Sequence, residues 1–258
     1  MPDKDDQGDK TMTELLYQTD SYLKNFDATV KALDTENRAV LLDRTAFYPG
    51  GGGQPFDLGL IRWGEQVIPI KRAKNINGEV WHFLSEEAAL PPINAAVQGE
   101  IDWERRYQTM RTHTAMHILC GVVFRDYGAL VTGGDMELLL GRMDFEFESM
   151  SADLVKVIET AINKEVAAAR EIRIAILPRE EAFQIQDLIR TKINLLPAEI
   201  KNIRTIEIVG LDLQADGGTH VKNTREVGTL RITDYKSKGK INKRIYLEIS
   251  NSGNAEKM

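Results

Sequence analysis

The sequence predicts an α+β fold in two parts: a small N-terminal β-barrel domain, then a C-terminal α+β domain built on an antiparallel sheet. Three observations carry this expectation. Up to about residue 100 the chain reads as short, evenly spaced strands separated by turn residues. Beyond that point helical and strand patterns alternate, with the clearest helical spacing in Leu154, Val155, Ile158, Ile162 and Val166. Pro91-Pro92 marks the change of character, and a domain boundary is expected near residue 100, dividing 13–100 from 101–258.

In chain order, residues 1–12 are polar and without periodicity, which predicts a disordered leader. Residues 28–33 and 38–43 read as strands around the turn Asp34-Thr-Glu-Asn37. A dense glycine run follows, Thr45-Ala-Phe-Tyr-Pro-Gly-Gly-Gly-Gly-Gln-Pro-Phe-Asp57. Short strands resume at 58–63, 66–71 and 79–84, the last two separated by a stretch containing Asn77-Gly78, and 95–102 closes the series. Residues 104–124 are expected to be helical. A strand at 145–147 is led into by Gly133-Gly134 and Gly141, and 152–169 is a second helix. A strand at 172–177 precedes a helical stretch from Arg179. Strands at 203–209, 228–234 and 242–249 complete one antiparallel sheet with helices on one side. No internal repeat is visible.

Composition limits the function classes. Hydrophobic content of 42% and charged content of 28% describe an ordinary globular chain. No run of about 18 apolar residues and no charged-then-apolar leader occurs, so neither a membrane span nor a signal peptide is expected. Cys120 is the single cysteine, which excludes an internal disulfide and fits a reducing, cytoplasmic setting. A net charge of −6 argues against general coating of nucleic acid while leaving room for a local basic face.

The chemistry-bearing residues are unevenly placed. His113 and His117 lie four apart, so on a helix they share one face about 6 Å apart along the axis. Asp216 and His220 repeat the spacing in the Gly-rich stretch Asp216-Gly-Gly-Thr-His220. Two such pairs, one on a helix and one in a loop, suit a tetrahedral zinc site, although spacing alone leaves a chance pairing equally open. The residue after His113 is Thr114 rather than Glu, so the general base of a zinc peptidase is missing. Cys120 lies seven residues, about 10 Å of rise, from His113 and is expected to pack as a small apolar residue. His82 is expected to be a satisfied structural histidine.

Gly50, Gly51, Gly52 and Gly53 lack the Lys-Ser/Thr ending of a phosphate-binding loop, so ATP is not indicated. Glycines between Tyr48-Pro49 and Gln54-Pro55 permit close backbone approach to a ligand within a restrained segment. Residues 201–246 carry ten basic groups against five acids. Within them Lys236-Ser-Lys-Gly-Lys240 reads as a basic turn, with Lys243 and Arg244 just beyond, and phosphate contact is expected of these five basic residues.

Taken together, these pieces resemble the alanyl-tRNA editing proteins of the AlaX type, relatives of the editing domain of alanyl-tRNA synthetase. Thr45-Ala-Phe-Tyr-Pro and Gly51-Gly-Gly-Gln-Pro resemble the family's glycine-rich motif. Thr112-His-Thr-Ala-Met-His117 and Gly217-Gly-Thr-His-Val221 resemble its two zinc motifs. The resemblance runs from about residue 15 to 249 and suggests the medium-length class. It implies hydrolysis of the aminoacyl ester of tRNA(Ala) bearing serine or glycine, with one zinc ion held by His113, His117, Asp216 and His220. It also implies that Thr45 and Gln54 lie near the bound amino acid, Thr45 reading the serine hydroxyl. One departure is plain: the second zinc motif usually begins with cysteine, and here that residue is Asp216. A carboxylate is a harder, less zinc-selective ligand, so other divalent ions can compete. The competing class is a tRNA-binding module without catalysis, its metal site decayed at Asp216.

Overall fold

The computed structural model describes residues 13–86, 89–191 and 200–250; the expected leader at 1–12 lies outside them. The chain divides into two compact units. One holds the described residues up to Gly50 together with Phe56–Asp102, and the other holds Gly51–Pro55 together with the chain from Trp103 onward.

The first unit contains β1 (Glu14–Leu15), β2 (Asn25–Asp34), β3 (Ala39–Leu42), β4 (Arg44–Thr45), β5 (Gly59–Trp63), β6 (Gln66–Ile76), β7 (Glu79–Leu84) and β8 (Ala96–Ile101). Six of these form a closed barrel in the order β2-β3-β7-β6-β5-β8, every neighbouring pair antiparallel. Closure removes the unpaired edges that a small open sheet would expose. The period-two pattern of β7 and β8 sends Val80, Leu84, Val97 and Ile101 inward onto Phe26, Phe47 and Ile61. Strand β6 runs five residues beyond its expected end. Asn77 and Gly78 both adopt positive φ, at 54° and 88°, and make the two-residue turn into β7. Short β1 pairs in parallel with β4, a contact the strand pattern does not reveal.

The second unit contains α1 (Trp103–Tyr127), β9 (Val131–Glu137), β10 (Leu140–Glu146), α2 (Ala152–Ala167), β11 (Ile172–Pro178), α3 (Arg179–Ala182), β12 (Asn202–Ile208), β13 (Asp212–Ala215), β14 (Thr229–Gly239) and β15 (Asn242–Ser250). The single expected sheet is in fact two. A four-stranded antiparallel sheet has the order β14-β15-β10-β9, and a three-stranded one the order β11-β12-β13. Strand periodicity records which face is buried but not which strand lies alongside, so the pattern does not distinguish one sheet from two. β9 and residues 140–144 of β10 lie outside the expected strand at 145–147, because Gly133, Gly134 and Gly141 mask a strand pattern.

Helix α1 is the axis of this unit. From Thr109 to Val123 every residue is buried, because β9, β10 and β15 cover one side and α2 and β13 others. A helix buried all round loses the one-sided pattern of a surface helix. Ser151 caps α2 by accepting from the Leu154 backbone N–H, and Val155, Ile158, Ile162 and Val166 form its buried stripe. Each fully buried Ile contributes about 1.5–3 kcal/mol relative to exposure, so Ile158→Ala or Ile162→Ala is the change that would loosen α2 from the unit. At the ends of these helices Glu165 accepts from Arg125 (2.6 Å) and from Arg170 (2.5 Å).

Candidate metal centre

The 3.6-residue period of α1 places His113 and His117 on one face, and the loop leaving β13 brings Asp216 and His220 against it. One ligand atom from each of the four residues lies within 4.8 Å of all the others. The Asp216 carboxylate is the meeting point. Its Oδ2 is 3.4 Å from His113 Nε2 and 3.9 Å from His117 Nε2, and its Oδ1 is 3.1 Å from His220 Nε2. Zinc bonds of about 2.0–2.1 Å place tetrahedral donors about 3.3 Å apart, so this donor set fits such an ion.

Each imidazole points Nε2 inward and is held by Nδ1. His113 Nδ1 is 2.9 Å from Gln54 Oε1, His117 Nδ1 is 3.2 Å from Asp212 Oδ2, and His220 Nδ1 is 3.2 Å from Thr114 Oγ1. An outer partner on the second ring nitrogen is how metal-binding histidines are oriented. An ionised carboxylate only accepts, so Asp212 fixes the proton of His117 on Nδ1. Asp212 in turn receives Gln214 Nε2 at 2.6 Å and Arg190 Nε at 3.4 Å.

The electrostatics follow from burial and crowding. Burial raises the Asp216 carboxyl, but the charge of His113 and hydrogen bonds from all three imidazoles outweigh it and hold the group well below the carboxylate range. Burial opposes protonation of His117, yet its bonds to Asp212 and Asp216 raise it to about 9. His220 is pushed well below its ordinary value by burial and then by the neighbouring His113 charge. Backbone N–H of Gly218 donates to Asp216 Oδ1 at 2.7 Å and fixes the carboxylate's rotation.

The glycine run reaches this centre through its last residues. Gly51 and Gln54 exchange backbone hydrogen bonds of 3.0 and 2.9 Å across a turn whose central residues, Gly52 and Gly53, have φ of 58° and 88°. Two successive positive φ values are the signature of a tight hairpin turn that glycine adopts without strain. The turn delivers Gln54, 2% exposed, between His113 and Thr219. Gly218 is required opposite it, because a Cβ there would overlap Gln54 Oε1 and the His113 ring. Beside the cluster opens a pocket of about 690 Å³, lined by Gly52, Gly53, Gly133 and Gly134, by Met116, Met136 and Met143, and by Arg190 and Gln214.

Thr45 is fully buried in the first unit. Its Oγ1 accepts from Phe47 N–H (3.0 Å) and lies 2.8 Å from His82 Nε2, while His82 Nδ1 faces Val40 O at 3.3 Å. A carbonyl only accepts, so Nδ1 carries the ring proton and the Thr45 hydroxyl donates to Nε2. Burial lowers His82 to about 4, and it is satisfied and structural. Gly50 belongs to the first unit. The segment read as a basic turn is mostly strand: β14 continues to Gly239, and only Lys240 and Ile241 turn. Lys236, Lys238 and Lys240 are exposed, Lys236 lying 3.1 Å from Asp234. Lys243 is buried, donating to the Gly239 and Lys240 carbonyls, and Arg244 holds Asp144 through two bonds of 2.6 and 2.8 Å. Cys120 is a buried free thiol whose pKa is raised by burial and then by Asp212. The sequence reading missed Asp212, Thr114 and Thr219. Both threonines stand inside the quoted motifs, but an outer partner has no spacing rule by which to find it.

Residues 6–105 match the family described as tRNA synthetases class II (A). Residues 203–246 match the threonyl and alanyl tRNA synthetase second additional domain. The alanyl-tRNA editing protein AlaX-M of Saccharolobus solfataricus is 40% identical over 240 residues, covering 92% of this chain and 99% of that one. Its namesake in Methanosarcina barkeri is 37% identical over 242 residues, again covering 92% and 99%. The alanine–tRNA ligase of Pyrobaculum aerophilum is 35% identical over 231 residues, 87% of this chain but 25% of the ligase. Among the described residues no helix is long and apolar enough to cross a membrane.

Proposed function

Because the chain belongs to the alanyl-tRNA editing proteins of the AlaX-M type, we propose that it hydrolyses the ester joining serine, or glycine, to the 3′-adenosine of tRNA(Ala) and spares the alanyl ester. The observation that carries this reading is the convergence of three imidazoles and a carboxylate at the wall of a pocket of about 690 Å³. That is ample for an aminoacylated nucleoside. His113, His117, Asp216 and His220 would hold one divalent ion, zinc or a harder ion suited to Asp216. When bound, such an ion would supply Lewis acidity to an ester oxygen admitted as a further ligand or in place of a loosened Asp216.

The chain's own residues do the rest. Gly218 N–H keeps Asp216 turned toward the imidazoles, and Asp212 keeps the His117 proton on the outer nitrogen. Met116, Met136 and Met143 give the pocket an apolar lining that limits competing water. Serine reading is assigned to Thr45. With its proton donated to His82 and one lone pair taken by Phe47 N–H, one lone pair remains to accept from a serine hydroxyl. A site built around such a bond rejects the analogue lacking it by about 10⁴ or more. Lys236, Lys238 and Lys240 are assigned to tRNA phosphates; Lys243, bonded to its own turn, and Arg244, bonded to Asp144 on β10, back them.

Deacylation of Ser-, Gly- and Ala-tRNA(Ala) tests the proposal, with His113→Ala as the inactive control. Equal rates on serine and alanine defeat the editing assignment, and tRNA binding without any deacylation leaves a non-catalytic module. Thr45→Val should erode the serine preference, whereas Thr45→Ser, which keeps both the hydroxyl and the bond to His82, should preserve it.

A further inference from the structure

The side-chain amide of Gln54 can be oriented without ambiguity. The backbone N–H of Thr219 can only donate, so the atom 3.0 Å from it must be the amide oxygen. The amide nitrogen then donates to Thr219 Oγ1 at 2.9 Å. The oxygen's remaining lone pair faces His113 Nδ1 at 2.9 Å. Since that oxygen cannot donate, a neutral His113 ring must carry its proton on Nδ1, and Nε2, the atom turned toward Asp216, is then the lone-pair nitrogen an ion would take. Three features exist to keep this contact. The Gly52-Gly53 turn brings Gln54 in, the absent side chain of Gly218 makes room, and burial excludes water that could replace the bond.

We propose that Gln54 is a positioning residue for the metal centre: by accepting the Nδ1 proton of His113 it sets the tautomer and ring angle that present Nε2 to the ion. The glycine-rich turn is thereby an outer layer of the metal site rather than only a substrate loop. Both lone pairs of the amide oxygen are used, so Gln54 has none with which to accept a serine hydroxyl. The proposal rests on the metal-centre reading above.

The test begins with metal-free wild type, using ¹⁵N imidazole correlation spectra at alkaline pH. A His113 ring protonated at Nδ1 is expected, and protonation at Nε2 overturns the proposal. Divalent-ion affinity is then measured by chelator competition in Gln54→Leu, which removes the acceptor, and in Gln54→Glu, which keeps one. Gln54→Leu should weaken zinc binding about 10–100-fold and lose the Nδ1-protonated signal. Gln54→Glu should retain both. Gln54→Leu binding as tightly as wild type with its tautomer unchanged overturns the proposal. If Gln54→Leu fails to fold, the wild-type tautomer and Gln54→Glu still decide. A wild type that takes up no divalent ion defeats the metal reading, and the His113 tautomer then judges Gln54 separately.

Discussion

Asp212 Oδ2 lies 3.2 Å from His117 Nδ1, and the Asp212 side chain has no exposed surface. At Nδ1, His113 faces the Gln54 amide and His220 the Thr114 hydroxyl, whereas His117 faces a carboxylate, which strengthens it as a donor. Arg190 supplies the balancing charge from 3.4 Å and lies over the Phe124 ring, 3.8 Å from its centroid. Asp212→Asn should therefore weaken divalent-ion binding by about tenfold or more, read by chelator competition. Unchanged affinity would reduce Asp212 to packing.

Asp216→Cys supplies the softer ligand at the same place in the loop. Zinc affinity should rise, and the preference for zinc over manganese should rise with it, because thiolate selects softer ions. A variant that binds both ions as the parent does would show that Asp216 is not a ligand.

Acid stability should report the pair of arginines on Glu165. Burial raises this carboxyl, but the bonds from Arg125 and Arg170 outweigh it and hold the folded group below its ordinary value of 4.5. As pH falls below that ordinary value, the unfolded chain takes up a proton that the folded chain does not. The stabilisation is therefore complete above the ordinary value and is lost as pH falls through the folded one. Thermal unfolding of Glu165→Gln should begin at a lower temperature than wild type at neutral pH, with the gap closing in acid. A gap independent of pH would assign the effect to packing.

Changing Lys236, Lys238 and Lys240 together to Ala should weaken tRNA binding and reduce its salt dependence by roughly one slope unit per lost phosphate contact. Binding measured across a salt series decides this, and an unaltered slope moves the tRNA-facing surface elsewhere.

Much of this was legible in the sequence where local periodicity governs. The alternation in β7 and β8 gives the barrel wall, and the i, i+4 spacing of His113 and His117 gives one face of α1. What failed was pairing between distant segments. Nothing near Ile172 indicates that its strand joins Asn202–Ile208 in a sheet apart from Thr229–Gly239. Gln54 and His113 are 59 residues apart, and no motif spacing connects them. Lys243 carries the charge of a phosphate ligand, yet it lies buried against the carbonyls of its own turn.

The chain crosses from one unit to the other and back around residues 51–55 before it crosses for good at Trp103. The two units are therefore interleaved along the chain rather than consecutive. A gene fragment starting at Trp103 would encode Asp216 and the three imidazoles that converge on it, yet leave out the turn and amide that hold His113. Such a fragment is expected to hold a divalent ion more weakly than the whole chain although every ligand is present, since Gly51–Pro55 belongs with the metal unit but lies far from it along the chain.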